Sequence, residues 1–148
     1  MSTEDIFEVE IKDVYNYRLS YGGQSAYFHG LQAGKMVGSK CTGCGFVWVP
    51  LRPVCSHCYE TAEEYPLSGK GEILTSILLP QIPEHLRHLN APVATALVLP
   101  EGADTCIKAF VVAHNNVTLG KGTRVKAKYL PKINSIADFY FVPEESGD

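Results

Sequence analysis

The stretch KCTGCGFVWVPLRPVCSHCYE, residues 40–60, holds four of the chain's five cysteines as two Cys-x-x-Cys pairs, Cys41 with Cys44 and Cys55 with Cys58. Two thiolates two residues apart can reach one ion while the turn's backbone N–H groups point at the sulfurs, and a second such turn completes a tetrahedral site. The first turn, CTGCG, carries Gly43 and Gly45, suited to the positive φ that such a knuckle often demands. The second, CSHCY, has no trailing glycine. Between the turns, Phe46 to Val49 reads as a short strand and Pro50 and Pro53 as stiff turns. The pattern is that of a zinc ribbon, with Zn2+ preferred over a rubredoxin-like iron and over redox thiols or a disulfide. Four protein ligands leave no open coordination position, so one structural ion per chain is expected to support folding and not to activate water. Lys40, Arg52 and His57 offset the excess negative charge of four thiolates, or else are plain solvated surface.

Working outward, 148 residues suit one medium domain or two small ones, with 45% hydrophobic and 20% charged residues, an ordinary globular composition. Disorder is expected only at residues 1–8 and in the end PEESGD. The formal charge of −3 disfavours a domain built to wrap a phosphate backbone. No apolar run approaches the roughly 18 residues of a membrane span and the N-terminus lacks a signal-peptide pattern, so the reading is a soluble, cytoplasmic protein. In a reducing compartment, paired cysteines point to metal.

Before the ribbon, residues 15–40 read as mostly helical with interruptions, with Ser25 capping a helix that ends at Gly34. Tyr15, Tyr17, Tyr21, Tyr27 and Phe28 crowd this segment, which is the look of a partner-facing surface, the alternative being that they pack on the ribbon. After the ribbon, the link TAEEYPLSG leads to five strand-like runs at residues 71–79, 92–99, 105–112, 123–130 and 137–142. Their number and length match a five-stranded OB-fold barrel, and a small sandwich fits nearly as well. The expected class is therefore mainly β, in four blocks: an N-terminal helical partner-binding segment over 1–35, a rubredoxin-like zinc ribbon over 36–65, an OB-fold domain over 66–143 and a tail over 144–148.

In TRVKAKYL, alternation puts Arg124, Lys126 and Lys128 on one face, either a site for the phosphates of a ligand such as coenzyme A or a solvated surface. Cys106 falls in a predicted strand and reads as a small buried hydrophobe. No nucleophile elbow, phosphate loop or HExxH motif is present, so no catalytic residue is assigned.

The order of an aromatic N-terminal segment, YFHGLQAGKMVGSKC, CTGCGFVWVPLRPVCSHC and five strands resembles the zinc-ribbon plus OB-fold acyl-CoA-associated proteins that accompany thiolases. The resemblance covers almost the whole chain and carries Cys41, Cys44, Cys55 and Cys58 over as metal ligands. It implies an accessory subunit without chemistry of its own, bound to a thiolase-fold catalytic subunit through its N-terminal region and ribbon, with the barrel shaping an acyl-CoA site. An aromatic acyl-CoA such as 2-benzoylsuccinyl-CoA is compatible with that role. The competing reading of an OB barrel is a single-stranded nucleic-acid binder, which the acidic charge disfavours.

Overall fold

The computed structural model describes residues 6–113 and 118–144. A short 3-10 turn, Gly22–Gln24, runs into helix α1, Ser25–Gln32. Ser25 is the first residue of that helix and not its cap: its hydroxyl donates back to the Gly22 carbonyl at 2.7 Å, a local bond that serines favour at helix starts. Gly34, at φ +68°, turns the chain out of the helix. Strand β1, Met36–Cys41, then carries the chain into the first cysteine turn, and β2, Val47–Trp48, returns along it. The supposed link TAEEYPLSG contains β3, Ala62–Leu67, which pairs with β1 along six residues. Two glutamates and Pro66 disguise it in the sequence, but in a sheet ordered β2-β1-β3 it is an edge, where proline costs no ladder bond.

The five predicted strands follow as β4, Lys70–Leu78; β5, Val93–Pro100; β6, Ile107–Val112; β7, Arg124–Tyr129; and β8, Phe139–Pro143. They close in the order β4-β5-β6-β8-β7, with β4 also paired to β7. Every pairing is antiparallel except β6 with β8. That closure, with one parallel contact where the last strand inserts between the third and fourth, selects the OB barrel over the sandwich. Apolar residues alternate inward, as in β7, where Val125 and Ala127 are buried and Arg124, Lys126 and Lys128 are exposed.

One core joins the parts. Tyr27 and Leu31 from α1, Met36 from β1 and Val49 and Leu51 from the ribbon pack with Ile73, Val98, Val111, Val125, Phe139 and Phe141 of the barrel. Backbone clasps reinforce it: the Asp104 carboxylate accepts from Val47 N–H at 2.8 Å and the Thr105 hydroxyl from Val49 N–H at 2.8 Å. The barrel's β5–β6 turn is thereby tied to β2. Glu144, assigned to the tail, belongs to the barrel: its N–H donates to the Arg124 carbonyl at 2.9 Å. Residues 145–148 of that tail, residues 1–5 of the expected N-terminal disorder, and residues 114–117 of the β6–β7 connection lie outside the described residues. Residues 6–21 form no helix; they run as an exposed irregular segment, so the helical part of the N-terminal block is confined to residues 22–32.

Candidate metal centre and surrounding surfaces

The two cysteine turns are built alike. In the first, Gly45 N–H donates to Cys41 O at 3.1 Å and Cys41 N–H to Phe46 O at 2.9 Å. In the second, Tyr59 N–H donates to Cys55 O at 3.0 Å and Cys55 N–H to Glu60 O at 2.9 Å. Each turn also aims an amide at sulfur: Cys44 N–H lies 3.4 Å from Cys41 Sγ, and His57 N–H 3.4 Å from Cys55 Sγ. The turns face each other so that all four sulfurs lie within 4.8 Å of one another, with Cys41 to Cys58 at 3.3 Å and Cys44 to Cys55 at 3.7 Å. Tetrahedral bonds of about 2.3 Å to zinc place sulfurs about 3.8 Å apart, so the cluster fits the ion with little adjustment. It is the one grouping of three or more His, Cys, Asp or Glu donors of this kind among the described residues.

The surroundings pull two of the thiols down and push two up. The Cys44 amide pulls the Cys41 thiol below its ordinary value despite its burial. Burial pushes the Cys55 thiol up, but the amides of His57 and Cys58 and the Trp48 indole outweigh it and bring it down to about 6. At Cys44 the Phe46 amide lowers the thiol, yet burial and the neighbouring sulfurs prevail and it is pushed up to about 12. Cys58 is raised as well: the Glu60 amide lowers it, but the Cys41 thiol and burial outweigh that pull. Four adjacent thiolates repel; a dication is what lets all four ionise together. The buried Trp48 Nε1 has no geometrically satisfactory hydrogen-bond acceptor, and a Cys55 thiolate beside it is the acceptor it lacks.

Around the cluster the three predicted counter-charges take distinct places. The Arg52 guanidinium lies 4.9 Å over the Trp48 ring, and the Lys40 ammonium 5.4 Å over Tyr65. His57 packs edge-on against Phe46 and Trp48, at 4.3 and 5.1 Å between ring centres. These rings and cations cover the apolar side of the cluster. Tyr59 takes a left-handed φ of 64° where the first turn has Gly45 at 75°. That is how the second turn closes without its glycine, at the conformational cost a side chain carries there.

The five aromatic residues predicted to meet a partner separate. Tyr27 is in the core, 1% exposed, with its hydroxyl donating to Ile136 O at 3.0 Å, and burial pushes its phenol up. It is not available to a partner, because α1 turns that face onto the barrel. Phe28 is half-buried and packs 4.1 Å from the ring of Tyr21. Tyr15 and Tyr17 are exposed. On β7, Arg124 pairs with Glu101 at 3.7 Å and Glu144 at 3.8 Å, whereas Lys126 and Lys128 have no carboxylate partner among the described residues. Cys106 is exposed just ahead of β6 and not buried within it, because β6 begins one residue later at Ile107.

Sequence reasoning missed a cavity of about 690 Å³ on the barrel, lined by Leu74, Leu78, Pro92, Ala94, Leu119 and Lys121 among others. Its wall is assembled from β4, β5 and the approach to β7, segments too far apart in sequence to signal it. Among the described residues no helix is long and apolar enough to cross a membrane.

Residues 28–64 match the family model described as ChsH2, rubredoxin-like zinc ribbon domain. A DUF35 domain-containing scaffold protein of Methanocaldococcus jannaschii is 35% identical over 71 residues, 46% of this chain and 50% of that protein. The chain thus spans about half the length of the curated relative it matches. Among solved structures, the Ltp2-ChsH2(DUF35) aldolase superposes with a TM-score of 0.62 at 18% identity, covering 86% of this chain and 98% of that one. A DUF35-family protein of unknown function from Sulfolobus solfataricus gives 0.58 at 22% identity, covering 83% and 87%. With the four-sulfur cluster and the closed barrel, the chain is similar to these DUF35 proteins in joining a rubredoxin-like zinc ribbon to a five-stranded barrel.

Proposed function

We propose that this chain is a non-catalytic scaffold subunit that binds a thiolase-fold acyl-CoA enzyme and helps shape its acyl-CoA site. The observation that carries the reading is a division within the molecule. Of the fifteen large apolar side chains exposed among the described residues, nine fall within residues 6–21 and six are spread over the ribbon and barrel. Exposed apolar surface of that extent on a folded protein is characteristic of an interaction site. The scaffold name of the Methanocaldococcus relative and the two-component name of the Ltp2-ChsH2(DUF35) aldolase support a partner enzyme.

On this reading Cys41, Cys44, Cys55 and Cys58 hold a zinc ion whose chemistry is to cross-link the ribbon. Residues of the chain do the rest: Trp48 and the turn amides orient the thiolates, and the core through Val49 and Leu51 holds the ribbon against the barrel. Lys126 and Lys128 are the cations on β7 left to meet coenzyme A phosphates, Arg124 being drawn to Glu101 and Glu144. The nucleophile and general base belong to the partner.

Co-expression of the full chain with a thiolase-fold subunit, followed by gel filtration and assay with a panel of acyl-CoA thioesters, tests the reading. A single co-eluting peak active only as the pair is expected. Separate peaks, or thioester turnover by this chain alone, overturn it.

A further inference from the structure

Residues 6–21 carry a second pattern. At the odd positions from 7 to 21 stand Phe7, Val9, Ile11, Asp13, Tyr15, Tyr17, Leu19 and Tyr21, seven of eight apolar or aromatic. At the even positions from 8 to 20 stand Glu8, Glu10, Lys12, Val14, Asn16, Arg18 and Ser20, six of seven polar. A repeat of two is the signature of a strand with one face buried, and it is incompatible with a helix, whose repeat is 3.6. The backbone agrees: the segment is not helical, and Tyr15 and Tyr17 lie side by side with ring centres 6.2 Å apart and planes 18° from parallel. Asp13, the polar exception, lies on the same side, its carboxylate accepting from the Tyr15 hydroxyl at 3.2 Å. The seven odd apolar residues are nevertheless 40 to 91% exposed.

Among the described residues this segment pairs with no strand, and the sheet edges are protected. The barrel is closed. On the ribbon sheet, β2 has two residues; the Val47 N–H is taken by Asp104, and that of Val49, just past the strand, by Thr105. The other edge, β3, carries Glu63, Glu64 and Pro66, charges and a missing donor that repel an acidic strand. A second copy of the chain offers the same protected sheet edges.

Resting on the scaffold reading above, we infer that residues 7–21 add as a strand to an open sheet edge of the partner enzyme, with Phe7, Val9, Ile11, Tyr15, Tyr17 and Leu19 seated in an apolar groove beside that edge. Main-chain bonds supply affinity and the alternating side chains supply register, as in other strand-addition complexes. Residues 8–13 hold three carboxylates and one ammonium, so the partner's edge is basic at that end.

The full, zinc-loaded chain and its thiolase-fold subunit provide the test. Amide hydrogen exchange over residues 6–21 is fast in the free chain and is slowed at alternating residues in the complex. The triple variant Val9→Ser, Ile11→Ser, Tyr17→Ser weakens the complex by about 30-fold or more, as expected for losing several buried apolar anchors. The triple variant Glu10→Ser, Lys12→Ser, Arg18→Ser changes it by less than about 5-fold, the modest effect of rim charges. Both variants keep the zinc content and the unfolding midpoint of the parent, because these residues contribute nothing to the core. A complex whose residues 6–21 still exchange fast, or equal weakening by the two variants, overturns strand addition and leaves the scaffold reading standing. A self-associated form lost in the first variant overturns it in favour of a homotypic contact. No complex at all removes both.

Discussion

The two cysteine turns share the pair of backbone hydrogen bonds that closes each of them, and at the closing position one has Gly45 where the other has Tyr59. Both adopt the left-handed region, so the geometry belongs to the shared closure of the turn and not to the residue type. The first turn uses the residue that adopts this conformation without steric cost; the second spends some stability to keep an exposed aromatic ring. If the partner proposed above meets the ribbon, this exposed ring is a place where it would do so.

The comparison can be broken most decisively at the ligands. Cys41→Ser and Cys55→Ser each remove one of four donors from a shared ion, so both variants should lose zinc on elemental analysis and lose the ribbon's cooperative unfolding. Retention of a full equivalent by either would mean that the turns do not share a site. Next is Gly45→Ala: a Cβ there finds open space, with Lys40 Cε 4.0 Å away, so the cost is conformational, about 1 to 2 kcal/mol in denaturant unfolding. Trp48→Phe keeps the packing against Phe46 and His57 but deletes the indole N–H beside Cys55, and should cost about 1 kcal/mol and speed zinc transfer to a chelator. The smallest effect sharpens the contrast. Tyr59→Gly should leave the isolated chain unchanged or more stable by up to about 1 kcal/mol, relief of the left-handed strain being offset by glycine's extra freedom when unfolded. The same substitution should weaken the pairing with the catalytic subunit, which a co-elution titration measures.

The metal centre was legible because its chemistry is written in adjacent residues: thiolates at fixed spacing have few other uses. The barrel was legible for a related reason, since runs such as TCIKAFVV and ADFYFV are β-branched and aromatic, and their turns carry glycine and proline. β3 was hidden because edge strands are protected by the very residues, Glu63, Glu64 and Pro66, that argue against strands. Tyr27 and Tyr21 could not be told apart in sequence. Only the packing of α1 sends one into the core and leaves the other at the surface. The N-terminal segment misled differently: read as mostly helical from residue 15, it is irregular as far as Tyr21, and its aromatic residues carry a repeat of two that a helix does not have. The Arg124 pairings with Glu101 and Glu144 join residues brought together only by barrel closure.

The clasp of Asp104 and Thr105 onto β2 sits immediately before the one thiol that takes no part in the cluster, and Cys106 faces solvent. The molecule therefore offers a natural attachment point at its seam. A fluorophore tethered there would brighten or dim as the ribbon loosens from the barrel, turning departure of the ion into an optical signal with all four coordinating sulfurs left in place.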